Sequence, residues 1–351
     1  MQSMLKFVFA AGLVSAACVP AAFAAQSADF STQAPSEQVG PIEAVARLAW
    51  RGDMAQIATP SEGCFHASYP SVIWKQVECK QVTPRAHPVP RRIVFGQQQT
   101  AGNGNDYTLN SASPISKAVG SFPTYSGVTS EKSVGVAAYG GGGILGANEY
   151  SLQMNTSFTQ TSAACAGHSG CTVWQQFIYA TDYSVNGQGT VFMQDWLIGW
   201  GTADACPSGF GSDGEGDCYE NSAGTQLADI SPKNLGGVTV TGTATTGGND
   251  TTVVTYDGDA YSTSQKDSTL DIASVWNEVE YNVVGDAGGS EAKFNTSGVS
   301  VKVNIAATNG SSSAPTCQAD NGTTGESNNL TLGSCTATSG STPSISFTES
   351  N

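Results

Sequence analysis

Between residues 150 and 350, apolar and polar residues alternate in short runs with the two-residue period of a strand that buries one face. YSLQMNTSF, CTVWQQFIYA, VFMQDWLIGW, VTVTGTAT, TTVVTY, VWNEVEYNVV, VSVKVNIAA and ISFTES carry that pattern. Turn-forming GGND, DGDA and GDAGGS lie between some of them. Hardly any helical pattern interrupts the series, so residues 96–351 are expected to form one all-β domain. An antiparallel β-sandwich of jelly-roll, concanavalin-like arrangement suits this pattern, and the segment is long enough to bury a full core.

Before residue 96 the period changes. PIEAVARLAWRGDMAQIA places Pro41 at a helix start and spaces Ile42, Val45, Leu48 and Ala49 at helical intervals. GCFHASYPSVIWKQVEC follows, bounded by two cysteines, and PRAHPVPRRIVFG then reads as an exposed linker with three prolines and the pair Arg91-Arg92. Residues 25–40 are polar and expected to be disordered.

The first 24 residues combine Lys6, an apolar run and Ala22-Phe23-Ala24, the features of a secretory signal cut after Ala24. Acylation at Cys18 fits less well, because Ser15 stands where an aliphatic residue is expected. The expected organisation is a signal peptide at 1–24, a pro-region or small N-terminal subdomain with its linker at 25–95, and the sandwich at 96–351. No later apolar run approaches the roughly 18 residues of a membrane span. The expected location is therefore outside the cell or in the periplasm, with no membrane contact after signal removal.

Removing the signal leaves eight cysteines in four close groups: Cys64/Cys79, Cys165/Cys171, Cys206/Cys218 and Cys317/Cys335. Four locally bridged loops are the expected arrangement. A metal site is not expected, since no Cys-x-x-Cys is present and His66, His87 and His168 are not at ligand spacing. No cofactor motif is present either. GGGG at 140–143 is followed by no lysine and reads as a flexible loop. In DGEGDCYE, Asp213, Glu215 and Asp217 begin like a calcium loop, but Cys218 and Gly224 stand where glycine and glutamate are needed.

Charge divides the chain. Residues 25–95 hold seven basic and six acidic residues, whereas residues 96–351 hold six lysines, no arginine and 23 acidic residues. Nucleic acid and anionic membrane are excluded as expected partners, because phosphate recognition needs clustered cations. Having few cations also suits acid conditions, in which bases left without carboxylate partners repel one another. Oligomeric state is not legible in the sequence.

A Ser-His-Asp set would depend on His168 alone, and every mature cysteine has a bridging partner in prospect. What remains are carboxylates, amides and aromatics on strands. Trp174 and Gln176 share one face of their run, Gln194 and Trp196 one face of the next, and Trp276, Glu278 and Glu280 one face of VWNEVEYNV. If these runs are neighbours, the residues line one trough able to grip an extended peptide or glycan.

This set resembles the glutamic peptidases of the eqolisin family. Trp276-Asn-Glu278-Val-Glu280-Tyr281, followed by GDAGGSEAKF, is similar to the family's glutamate strand with its Gly/Ser loop and Ala-x-Phe strand. Trp174-Gln175-Gln176-Phe177, followed by Trp196 and Trp200, is similar in type to its glutamine strand. The resemblance implies a secreted, acid-active β-sandwich endopeptidase made with a basic propeptide and acting on polypeptide without cofactor. Strict alignment favours Gln175, while a face shared with Trp174 favours Gln176. Neither glutamate falls three residues after Trp276, where the family places it. The expected pair is Gln176 and Glu280, with Gln175, Gln194 and Glu278 as alternates and Trp174, Trp196 and Trp276 as substrate-binding residues. In that chemistry the glutamate takes a proton from the attacking water, and a glutamine N–H stabilises the oxyanion. The alternative is a non-catalytic sandwich that binds glycans or a surface partner through the same trough.

Overall fold

The computed structural model describes residues 40–83, 106–137, 140–201, 205–319 and 326–351. The expected signal, the polar segment up to 39 and the whole of the linker PRAHPVPRRIVFG lie outside the described residues. The N-terminal part contains helix α1 (Pro41–Met54) and strands β1 (Gly63–Ser68), β2 (Lys75–Val77) and β3 (Lys80–Gln81). There follow β4 (Tyr107–Asn110), β5 (Lys117–Ser126), β6 (Glu131–Gly135), β7 (Gly146–Ala147), β8 (Ser151–Thr156), β9 (Thr172–Val185) and β10 (Gln188–Ile198). Next come β11 (Gly211–Ser212), β12 (Cys218–Asn221), β13 (Ala223–Ala228), β14 (Val238–Thr243), β15 (Asn249–Tyr256), β16 (Asp259–Lys266) and β17 (Glu278–Val284). The chain closes with β18 (Ser290–Phe294), β19 (Ser300–Thr308), β20 (Thr316–Ala319), β21 (Ser327–Asn328), β22 (Thr331–Leu332), β23 (Thr336–Thr338) and β24 (Ser344–Ser350).

These strands form an all-β sandwich of two ten-stranded antiparallel sheets, with a small four-stranded sheet beside them. One large sheet runs β2-β1-β16-β15-β14-β5-β19-β24-β22, with β23 also on β24. The other, called the site sheet below, runs β11-β12-β10-β9-β8-β17-β4-β20, with β13 on β10 and β3 on β13. Alternate residues of each sheet meet in the core. Leu152, Met154, Val173, Phe177, Tyr179, Val279, Tyr281 and Val283 of the site sheet pack with Val240, Val254, Val301, Val303 and Ile305 of the other. The sheets approach closely where glycine leaves room for a ring. A Cβ on Gly120 would lie 2.3 Å from the Tyr281 ring, and one on Gly242 2.6 Å from that of Phe177.

All eight alternating runs overlap strands. The helix forms as its sequence implies, with its aliphatic positions turned outward. Ile42, Val45 and Leu48 are exposed, while Trp50 and Met54 are buried with Phe65, Trp74 and Val253. The helix meets the sheet through its last turn, where Trp50 packs edge-on against Tyr69 and donates its Nε1–H to the Ser71 carbonyl. One large aromatic supplies more buried area there than the smaller aliphatics upstream.

The boundary read near residue 95 is not a boundary between sheets. β1 pairs with β16 from Gly63↔Ser264 to Ser68↔Asp259, and β3 extends the site sheet through β13. Side chains of the N-terminal segment sit on the acidic body, with Arg47 2.9 Å from Asp257 and His66 2.8 Å from Asp259. The cysteines join as Cys64–Cys79, Cys165–Cys171, Cys206–Cys218 and Cys317–Cys335, a pattern that fits an oxidising compartment. Among the described residues, no helix is long and apolar enough to cross a membrane.

Candidate functional site

Side chains at paired positions of neighbouring strands project from the same face of a sheet. The register pairs Glu280 with Asn155, Asn155 with Gln176, Gln176 with Gln194, and Gln194 with Asn221. One polar row therefore crosses β17, β8, β9, β10 and β12 on the face turned away from the core. Gln176 and Glu280 are two strands apart, about 10 Å between backbones. A second row on this face is aromatic, with Trp174 paired to Trp196 and Trp196 to Tyr219; the Trp196 and Tyr219 rings stack at 4.8 Å. Ile178 and Phe192 form a row on the other side of the amides.

Asn155 links the two principal residues. Its Nδ2 donates to Glu280 Oε2, and its Oδ1 accepts from Gln176 Nε2 at 2.9 Å. Gln176 Nε2 also donates to Gln153 Oε1 at 3.1 Å, while Gln153 Nε2 donates to Glu326 Oε2 at 2.8 Å and to Ser151 Oγ at 3.0 Å. The direction of this chain follows from its ends, where a carboxylate oxygen accepts from an amide nitrogen. Glu280 turns the Asn155 amide nitrogen toward itself, and Glu326 does the same to Gln153. Both N–H groups of Gln176 are thus directed at carbonyl oxygens. Its Oε1 is buried and, among the described residues, has no hydrogen-bond partner. Gln194 is fixed differently, since it accepts from Trp196 Nε1–H at 2.9 Å and donates to Asn221 Oδ1 at 2.6 Å.

Where an open trough was expected, the row is covered. Gln176 and Gln194 are 0 % exposed, Glu280 1 % and Asn155 2 %. Among the described residues, Val82 shares a buried cluster with Ile178 and Phe192, and Glu326 reaches Gln153.

The alternates fall in distinct places. Glu278 stands on the face of Glu280, opposite Asn110. Gln175 points the other way, into the space between the sheets. There its Nε2 donates to Asp195 Oδ1 and Asp250 Oδ2, and Gln265 donates to Asp195 Oδ2. Burial pushes Asp195 up to about 6 against these hydrogen bonds, and pushes Asp250 up to about 8, with nearby Asp267 and Asp195 adding to the rise. Glu220 beside them rises to about 7, through burial and then the charge of Asp195.

Trp174 and Trp196 lie on the outer face as expected, but Trp276 does not. It packs in the core against Phe177 at 5.4 Å, with its Nε1–H on the Glu278 carbonyl. β17 begins only at Glu278, after a 3₁₀ turn at Ile272–Ser274, so strand parity does not extend back to Trp276. Asn155, Gln153 and Glu326 are members of the site that the sequence reading passed over. The first two were legible as alternate positions of YSLQMNTSF. Glu326, distant in sequence and outside any strand, gave no signal.

The acidic loop makes a turn of its carboxylates. Asp213 Oδ1 accepts from the backbone N–H groups of Glu215 and Asp217, and Asp217 Oδ1 from that of Gly199. GGGG is tied down rather than free, as Gly142 N–H donates to the Gly288 carbonyl at 2.9 Å. No protein-family model matches the chain, and no curated protein or solved structure matches it.

Proposed function

We propose that the chain is the precursor of a secreted, acid-active endopeptidase of glutamic type, with Glu280 as general base and Gln176 as oxyanion stabiliser. The observation that carries this reading is the row itself: a carboxylate and an amide from distant segments share one face and are linked through Asn155. Glu280 takes a proton from water attacking a peptide carbonyl and passes it to the leaving amine. A Gln176 N–H must be released before it can meet the oxyanion. Displacing Glu326 from Gln153 would free that amide to turn, and one Gln176 N–H would lose its acceptor. Trp174, Trp196 and Tyr219 offer flat apolar surface for side chains flanking the cleaved bond.

The covered state fits a precursor. The N-terminal segment is held on the body by Arg47–Asp257 and His66–Asp259. Partial burial alone would raise Asp259, but hydrogen bonds from His66 and Ser68 hold it below the ordinary value. Its contribution is therefore present above the unfolded carboxylate range and lost as pH falls through its depressed value. At pH 3 to 4, the purified chain is expected to shorten from its N-terminal side and to digest denatured protein. Intact chain without digestion would count against the reading.

Asn155 is a positioning residue in this scheme. Asn155→Ala removes a donor to Glu280, and losing a hydrogen bond to a charged group costs roughly 10- to 100-fold. The predicted result is a fall in kcat/KM of that order, together with a shift of the acid limb of its pH profile to higher pH. A uniform loss with an unmoved limb would assign Asn155 a structural role only.

A further inference from the structure

Next to the amide row, the outer face of the site sheet holds an apolar seat that is already filled. Ile178 follows Gln176 by two residues on β9 and is paired with Phe192, two residues before Gln194 on β10. The seat is thus about 7 Å along the strands from the Gln176–Gln194 pair, the spacing of alternate side chains in an extended peptide. Ile178, Ala180, Tyr183, Phe192 and Ala287 form a buried cluster whose remaining fully buried member is Val82. The Tyr183 and Phe192 rings make one wall, with centroids 4.7 Å apart.

Val82 arrives there on an extended strap. β3 runs antiparallel to β13, which runs antiparallel to β10, so β3 advances in the sense that leads from Phe192 toward Gln194. The strap needs a position without a side chain beneath it. A Cβ on Gly224 would stand 2.6 Å from Val82 Cγ2 and 2.7 Å from Thr190 Cγ2. Gly224 has an ordinary backbone conformation, so its special property here is the space it leaves.

We infer that Ile178, Ala180, Tyr183, Phe192 and Ala287 form a binding subsite for one aliphatic side chain of an extended polypeptide, and that Val82 occupies it from within the same chain. The inference rests on the peptidase reading for its setting and extends it to substrate class: polypeptides with valine or a similar aliphatic residue one strand step from the bond over Gln176. The seat is lined by hydrocarbon and ring atoms, so an aliphatic group gains by leaving water there and a glycine gains nothing.

The test uses the full chain carrying Glu280→Gln, so that bound peptide is not cut, with and without Val82→Gly. The probes are the acetylated, amidated peptides Lys-Gln-Val-Thr and Lys-Gln-Gly-Thr, followed by calorimetry. The chain with both substitutions is expected to bind the valine peptide at least tenfold more tightly than the glycine peptide. The chain retaining Val82 should bind both weakly. Adding Gly224→Val to the double variant should abolish the difference. Val82→Ala, a milder replacement, supports the same comparison if Val82→Gly does not fold. Equal binding of the two peptides, binding of neither, or equal binding of the valine peptide whether or not Val82 is present would overturn the subsite. No turnover enters the measurement, so a folded chain that never cleaves peptide can still pass it, and an active enzyme can still fail it.

Discussion

Thermal unfolding of the chain is expected to occur at its highest temperature near pH 3 to 4 and on the order of 10 °C lower, or more, by pH 8. The cause is a set of buried carboxyl groups that, among the described residues, have no cation beside them. Burial pushes Asp250 up to about 8 and Asp195 up to about 6 between the sheets. Glu349 rises to about 8 through burial, against hydrogen bonds from Asn282 and Asn328. Glu131 rises to about 8 through burial and then the charge of Glu149. A carboxyl whose folded value is raised binds its proton more tightly in the folded state. Its stabilisation is complete below the unfolded carboxylate range and is lost as pH rises through its folded value. Each unit corresponds to about 1.4 kcal/mol, so even partial shifts at four sites amount to several kcal/mol, and each kcal/mol moves Tm by about 2–4 °C in a domain of this size. Asp250→Asn should flatten the decline. A Tm that stays level or rises toward neutrality would contradict this account.

The same linkage runs the opposite way at the N-terminal segment, where Asp259 is depressed by His66 and Ser68. Acid thus weakens the hold of Asp259 on β1 while it tightens the body beneath. On the proposed reading, acid both releases the N-terminal segment and favours the folded body, so one pH range serves activation and turnover.

Glu280→Gln is expected to lower kcat/KM on an unstructured peptide by about 10³-fold, since an amide cannot accept the proton of the attacking water. Folding should survive, because glutamine has nearly the same shape and its amide can still pair with Asn155. Glu278→Gln, on the same face but opposite Asn110, should change kcat/KM by less than about tenfold. Equal losses from the two substitutions would show that the row, as drawn, does not define the base.

The strands were legible because period two survives wherever one face meets a core, as in Val279, Tyr281 and Val283 against Glu278, Glu280 and Asn282. Parity placed Gln176 and Glu280 on outward faces, but only register could show that Asn155 lies between them. Parity failed at Trp276 because regular extension stops before it, which a local 3₁₀ turn does not announce in residue types. The helix misled for another reason: its aliphatic stripe is real in the sequence, yet Trp50 decides which side docks. DAYSTSQK was passed over as a strand because its alternation is weak, and it is held as β16 by two neighbours, β15 and β1. The covering of the site was not legible at all, since it depends on Val82 and Glu326, which are far from the row in sequence.

The most direct test of the central claim is the initial rate at which new amino termini appear when denatured polypeptide is incubated at pH 3.5 with acid-treated chain, beside the same chain carrying Glu280→Gln. The account predicts steady release by the native sequence and at least a 100-fold slower rate for the variant at matched folded concentration. Equal rates in the two samples, or no release by either, would contradict it.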